Sequence, residues 1–217
     1  MPSRKFMLPT LLASALAALQ LQPLEAQEQQ PSAVLESIIV TGTRRAERTV
    51  FDSAGPIDVI AAGAINNTVS EDLSDTMAQL VPSFKVQRLP MNDGLIYVRP
   101  ASLRALSPDH TLVMINGKRR HRSALLGSNG AQAPDLAQIP SYAIERIEVL
   151  RDGASAQYGS DAIAGVINII LRQDTGFHAF GQYSEYDEGD GENARIGLAG
   201  GIDLGDGSFI NATLEYS

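Results

Sequence analysis

Residues 140–171 constrain the fold more than any other part of the chain. Two apolar runs flank a centre rich in glycine and alanine. In the first, 144–150, charges stand at Glu145, Arg146 and Glu148, while Ile147 and Val149 fall on one face of a strand. The second, 166–171, is apolar except for Asn168, as in a strand buried on both faces. Between them Gly153, Gly159 and Gly165 recur at intervals of six residues. Positions without a Cβ permit tight turns and close backbone approach. Residues 154–157 suffice for one helical turn. With 19 glycines and 11 prolines in the chain, this predicts a turn-rich mixed fold rather than a helical bundle.

The same residues resemble the signature of the plug domain of TonB-dependent outer-membrane receptors. It stands here as Ile144-Glu145-Arg146-Ile147-Glu148-Val149-Leu150-Arg151, then Ala154-Ser155-Ala156-Gln157-Tyr158-Gly159, then Ala162-Ile163-Ala164-Gly165-Val166-Ile167-Asn168-Ile169. A second stretch, from Arg99 through Leu103-Arg104-Ala105 and Pro108-Asp109-His110 to Asn116-Gly117, is similar to another pattern of these receptors. Ala105 stands where the family usually has glycine; if that position needs positive φ, alanine strains it by about 1 kcal/mol. Asn116 replaces a common aspartate, and Asn-Gly still makes a strong hairpin turn. The resemblance makes Arg104, Asn116, Gly117, Glu145, Arg146, Glu148, Arg151, Gly153, Tyr158, Gly159, Gly165 and Asn168 structural signature positions. It implies an α+β plug domain with a small mixed four-stranded sheet and short helices, followed by the first strands of a transmembrane β-barrel. On this resemblance, Arg104, Arg146, Arg151, Glu145 and Glu148 are expected to pair with charges on the barrel wall, holding the plug yet leaving it releasable.

Composition narrows the alternatives. The formal net charge of −8 over 217 residues makes nucleic acid a poor partner. With no cysteine, a disulfide framework and a thiolate metal site are excluded. Arg4 and Lys5, the apolar run 8–21 and Leu24-Glu25-Ala26 have the layout of a secretory signal over residues 1–26. A polar arm, 27–44, follows. Within it Glu36-Ser37-Ile38-Ile39-Val40-Thr41-Gly42 is a short β-branched run. It resembles the TonB box, an extended segment that adds to a partner's sheet edge; it also reads as the first strand of the domain, and both assignments stay open.

The domain then runs over 45–172. Residues 57–60 alternate as a strand, and helices are expected at 61–65 and 72–81. Leu73, Met77, Leu80 and Val81 share one face of the second helix, with Ser70 or Glu71 opening it and Pro82 stopping it. Ser83 replaces the family's usual glycine, so the turn there need not be left-handed. Further strands are expected at 96–99 and 112–115. Lys118 and the run Arg119, Arg120, His121 and Arg122 form the dense positive segment of the chain. It reads as an exposed loop facing acidic residues of the barrel wall, as contacts to an anionic ligand, or as a phosphate-binding patch. A single histidine is no metal site, and no metal or cofactor is expected.

After Arg172 the character changes. Residues 176–217 hold nine glycines, eight acidic residues and one arginine, Arg195. Three segments, 177–183, 194–202 and 209–216, alternate apolar with polar residues across acidic connectors. This is the pattern of transmembrane barrel strands, with a soluble hairpin sheet as the plain alternative. Three strands cannot close a barrel, and open edges in lipid leave backbone groups unpaired. The chain is therefore expected to be a fragment of a longer receptor or a truncated gene product, with 173–217 the first wall strands.

The resemblance implies energised uptake of a scarce ligand (a ferric siderophore, cobalamin, haem or a carbohydrate) across the outer membrane of a Gram-negative bacterium. TonB, with ExbB and ExbD, supplies the work. The competing class is a soluble periplasmic binding or signalling module without transport. An enzyme lacks support: there is no cysteine nucleophile and no HExxH pair, and GASAQYG lacks the Lys-Ser/Thr end of a phosphate loop.

Overall fold

The computed structural model describes residues 38, 39, 41, 48, 49, 55–68, 70, 72–86, 98–127, 130–184 and 193–216. The expected signal segment, most of the polar arm, and Glu36, Ser37, Val40 and Gly42 lie outside the described residues.

The centre is a five-stranded mixed sheet. Its strands are β3 (Ile57–Ala61), β6 (Thr111–Ile115), β7 (Lys118–Arg119), β8 (Ile144–Leu150) and β9 (Gly165–Leu171), in the order β3-β8-β9-β6-β7. All neighbours are antiparallel except β9 and β6, which run parallel with Val113 opposite Ile167. Four strands were expected; the fifth is β7, two charged residues too short to show a pattern. Asn116 (φ 49°) and Gly117 (φ 74°) turn β6 into β7, the left-handed pair that favours Asn-Gly. The turn is locked from outside: Gly117 N donates to Asn168 Oδ1 at 3.0 Å, and Leu171 N donates to Asn116 Oδ1 at 2.9 Å.

Both faces of the sheet are buried, which is why β9 reads as a nearly continuous apolar run. On one face Ile60, Ile147, Val149, Ile167, Ile169 and Val113 pack in one core with Ile65 of α1 (Ala62–Asn66) and Leu73 and Met77 of α2 (Leu73–Leu80). Phe84 of β4 (Phe84–Val86) and Ala101 and Leu103 of β5 (Ala101–Leu103) close that core. The other face carries Ile57, Leu150, Val166, Leu112 and Met114 around Ala162. α2 starts at neither Ser70 nor Glu71: Asp72 is its N-cap, with Oδ1 accepting from Asp75 N at 2.9 Å. It ends at Leu80, before Pro82, as the proline requires. Of the strand expected at 96–99, residues 96 and 97 lie outside the described residues. Val98 and Arg99 carry no strand, and Arg99 N is taken by the side chain of Asp135 at 3.1 Å.

Arg104 and Ala105 both have positive φ, 54° and 57°, so alanine does occupy a left-handed position. The glycine-bearing link between β8 and β9 forms α3 (Ser155–Tyr158) and a 3₁₀ turn over Ser160–Ala162. Gly165 (φ 143°) begins β9, and a Cβ there would stand 2.4 Å from Leu150 O.

Strands β10 (Gly176–Ser184), β11 (Asn193–Gly205) and β12 (Ser208–Tyr216) make a separate antiparallel sheet. Asp206 (φ 53°) and Gly207 (φ 73°) turn the second hairpin. Register places Ala179, Leu198 and Leu214 side by side, with Gly181, Ile196 and Tyr216 in the next row and Gly200 and Ala212 on the other side. This face is exposed: Phe177 is 72%, Leu214 70% and Tyr216 74% accessible. The opposite face presents Phe180, Gln182, Arg195, Thr213 and Glu215 inward. A row of large apolar side chains in water with polar groups underneath inverts the soluble pattern.

Candidate functional site

The signature residues converge on the β8–β9 hairpin and on two places where other parts of the chain meet it. The first is Glu148, in the middle of β8. It is fully buried, opposite Val59 on one side and Asn168 on the other. A buried carboxylate requires hydrogen-bond donors. Arg146 Nε supplies one to Oε1 at 3.1 Å, while Oε2 accepts from Thr41 twice, from its N at 3.0 Å and its Oγ1 at 2.6 Å. Arg146 also reaches Glu145 at 2.9 Å. Thr41 is itself completely buried. Before it, β1 (Ile38–Ile39) pairs with β2 (Arg48–Thr49), so Ile38 and Ile39 of the 36–42 run form a strand with this chain.

The remaining signature charges also find partners inside this module. Arg104 donates to the carbonyls of Ile163 (2.7 Å) and Ala164 (3.1 Å), clasping the approach to β9. Arg151 pairs with Asp58 at 2.7 Å. The partners seen for Arg104, Arg146, Arg151, Glu145 and Glu148 thus lie within residues 41–164. Gly159 (φ 96°) closes α3, and Gly153 packs beside Ile163 O without positive φ. Tyr158 packs on the second core, and its carbonyl accepts from Arg119.

The basic run divides. Arg119 also pairs with Asp161, and Arg122 reaches the same carboxylate at 3.6 Å. Arg120 N returns to Val113 O at 2.9 Å, continuing the sheet edge, and His121 is exposed. Asp109, in the 3₁₀ turn before β6, has its carboxyl pulled below the ordinary range. The Ser107 hydroxyl's hydrogen bond outweighs the opposing effect of burial, with its own backbone N–H and nearby His110 and Arg122 assisting. Among the described residues, no group of three or more His, Cys, Asp or Glu is placed to hold a metal.

The second meeting place joins the module to the C-terminal sheet, and nothing in the sequence pattern identified it. Tyr142, in the 3₁₀ turn before β8, stacks on Phe180 of β10 with ring centroids 3.9 Å apart. The Arg172 guanidinium lies 4.8 Å over the same Tyr142 ring. Glu215 of β12 is nearly buried; its Oε2 accepts from Tyr142 N at 3.0 Å and its Oε1 lies 3.6 Å from Arg195 of β11. Asn211 Nδ2 donates to Arg172 O at 2.8 Å. Gly197 lies against Phe180, where a Cβ would stand 2.1 Å from ring atom Cε1. Beside this seat is a cleft of about 260 Å³ lined by Ile115, Arg120, Arg172, His178 and Asn211 among others. The available signal was the pair Arg195 and Glu215, charges on the polar face of a largely uncharged strand alternation.

The TonB-dependent receptor plug domain model matches residues 49–166, more than half of the chain. Among curated proteins, the vitamin B12 transporter BtuB of Photobacterium profundum is 32% identical over 195 residues, covering 89% of this chain and 29% of that protein. The vitamin B12 transporter BtuB of Vibrio cholerae serotype O1 is 30% identical over 210 residues, covering 94% and 31%. The crystal structure of the siderophore receptor PirA from Acinetobacter baumannii superimposes with a TM-score of 0.56 at 28% identity, over 77% of this chain and 25% of that one. The chain thus spans roughly three tenths of the length of the curated relatives it matches. The stretch matched by the family model carries the β8 strand and the glycine-bearing turns described above, and the chain belongs to the TonB-dependent receptor plug domain family.

Proposed function

We infer that residues 45–172 are the plug, and residues 173–217 the first wall strands, of an outer-membrane transporter driven by TonB with ExbB and ExbD. The observation that carries this is the two-faced C-terminal sheet. Its apolar side is exposed as a lipid-facing wall would be, and its polar side holds the plug through Glu215, Phe180 and Asn211. Water would oppose the exposure of Phe177, Leu198, Leu214 and Tyr216, so a soluble periplasmic module is not favoured. Residues 1–26 act as the secretory signal and 27–44 as the arm. The segment 36–42 is the docking strand for TonB as well as a strand of the resting plug.

The transported ligand belongs to the class of ferric siderophores or cobalamin, with haem and carbohydrate as the wider family range. The names of the relatives support the first two. The plug gates the lumen by moving when the arm is pulled, and no covalent chemistry is involved. Arg120 and His121, with Arg119 and Arg122 as their neighbours, are the ligand-facing candidates for an anionic cargo. The test is capture of the full-length receptor by the periplasmic domain of TonB, with and without residues 36–42. Capture of the intact receptor alone is expected; equal capture of both forms overturns the docking assignment.

A further inference from the structure

Two of the three donors seen on the buried Glu148 carboxylate come from one residue of the N-terminal arm. Thr41 and Glu148 are separated by 107 residues in sequence, yet both are wholly buried. A second hold on the arm is the β1–β2 ladder, two residue pairs long. A ladder of that length is marginal by itself. Next to Glu148 on β9 stands Asn168, buried, with its Nδ2 lacking a hydrogen-bond partner. Among the described residues, the arm meets the central sheet where Thr41 donates to the Glu148 carboxylate.

We propose that the Thr41–Glu148 pair is a latch that keeps the arm docked on the plug and sets how readily the arm is presented to the partner that pulls it. The inference rests on the reading that 36–42 docks TonB. Thr41 precedes β3 in the chain, so a pull applied ahead of Thr41 loads this pair before it reaches the sheet. When Thr41 leaves, a buried carboxylate loses two strong donors at once, which water must then replace. Release is therefore a step between two states rather than gradual fraying. A partner that binds only the released arm has its apparent affinity reduced by the fraction released. Weakening the latch raises that fraction and tightens apparent binding without touching the partner's contacts.

The test uses the full-length receptor. A nitroxide on Ile38→Cys reports arm mobility, and titration with the periplasmic domain of TonB, on unlabelled protein, reports affinity. Glu148→Gln keeps the shape but weakens both acceptor bonds; the mobile fraction should rise and apparent affinity should tighten by about tenfold. Thr41→Val, read by mobility alone, should also free the label, while Thr41→Ser, which keeps both donors, should leave it docked. The Thr41 pair keeps the test decisive if Glu148→Gln does not fold. Wild-type mobility in both Glu148→Gln and Thr41→Val, or equal mobility in Thr41→Val and Thr41→Ser, overturns the latch. If mobility responds as expected but neither wild type nor variant binds TonB, the latch stands and the docking reading fails.

Discussion

Replacing Gly165 by alanine tests the packing of the β8–β9 hairpin at its tightest point. Two penalties add there. The backbone sits at φ 143°, a region that side-chain-bearing residues rarely adopt, at a cost of about 1–3 kcal/mol. The added Cβ would lie 2.4 Å from Leu150 O and 2.9 Å from Leu103 Cδ1. Leu103 can shift, but Leu150 O belongs to a strand held between β3 and β9, so the overpacking costs a further ~1–3 kcal/mol. The sum is about 2–6 kcal/mol, against a domain stability of about 5–15 kcal/mol. Gly117→Ala is the matched control: its φ is 74°, but nothing lies within 4 Å of the new Cβ, so strain alone costs about 1 kcal/mol. Hydrogen exchange of the β8 and β9 amides in the full-length receptor reads the difference. Gly165→Ala should speed exchange by at least ~25-fold, since each 1.4 kcal/mol is about tenfold, and Gly117→Ala by only about fivefold. Equal protection in the two variants would refute the close approach of β9 to Leu150.

Three further outcomes follow from the geometry. Asp72→Ala removes the α2 N-cap and should destabilise the helix by about 1 kcal/mol, read as faster exchange at Asp75 and Thr76 and refuted by unchanged rates. Gly197→Val drives a side chain into the Phe180 ring; exchange at residues 141–143 should accelerate while β6 stays protected, and an undisturbed 141–143 turn would dismiss the aromatic seat. Asp109, whose carboxyl the Ser107 hydroxyl holds low, contributes stability that is present above the ordinary carboxylate range and lost as pH falls through its lowered pKa. The midpoint of thermal unfolding should therefore fall more steeply between pH 5 and about 3 in wild type than in Asp109→Asn; parallel curves would rule this out.

Much of the fold was legible because burial on both faces writes itself into composition. The apolar runs 144–150 and 166–171, the stop at Pro82 and the Asn116-Gly117 turn are each dictated locally. The site was less so. Glu148 is expected from the resemblance to pair with the barrel wall; the structure instead buries it, with Thr41 and Arg146 as donors. Its partner Thr41 is too distant in sequence for any spacing rule. Strand β7 is two charged residues that join the sheet through the turn before them, not through their own propensity. Arg99, expected to end a strand, carries none, and its N–H goes to the Asp135 side chain, 36 residues away in sequence. The pairing of Arg119 and Arg122 with Asp161 has no local signal, because Asp161 sits beyond the whole of β8 in the chain.

Uptake itself is the most direct measure of the central claim. Cells expressing the full-length receptor, with and without functional TonB, would be offered labelled ferric siderophores and labelled cobalamin in turn. Accumulation of one of these ligands only when TonB is present is the predicted result. Accumulation that is the same with and without TonB, or recovery of the receptor in the soluble periplasmic fraction, would contradict the account.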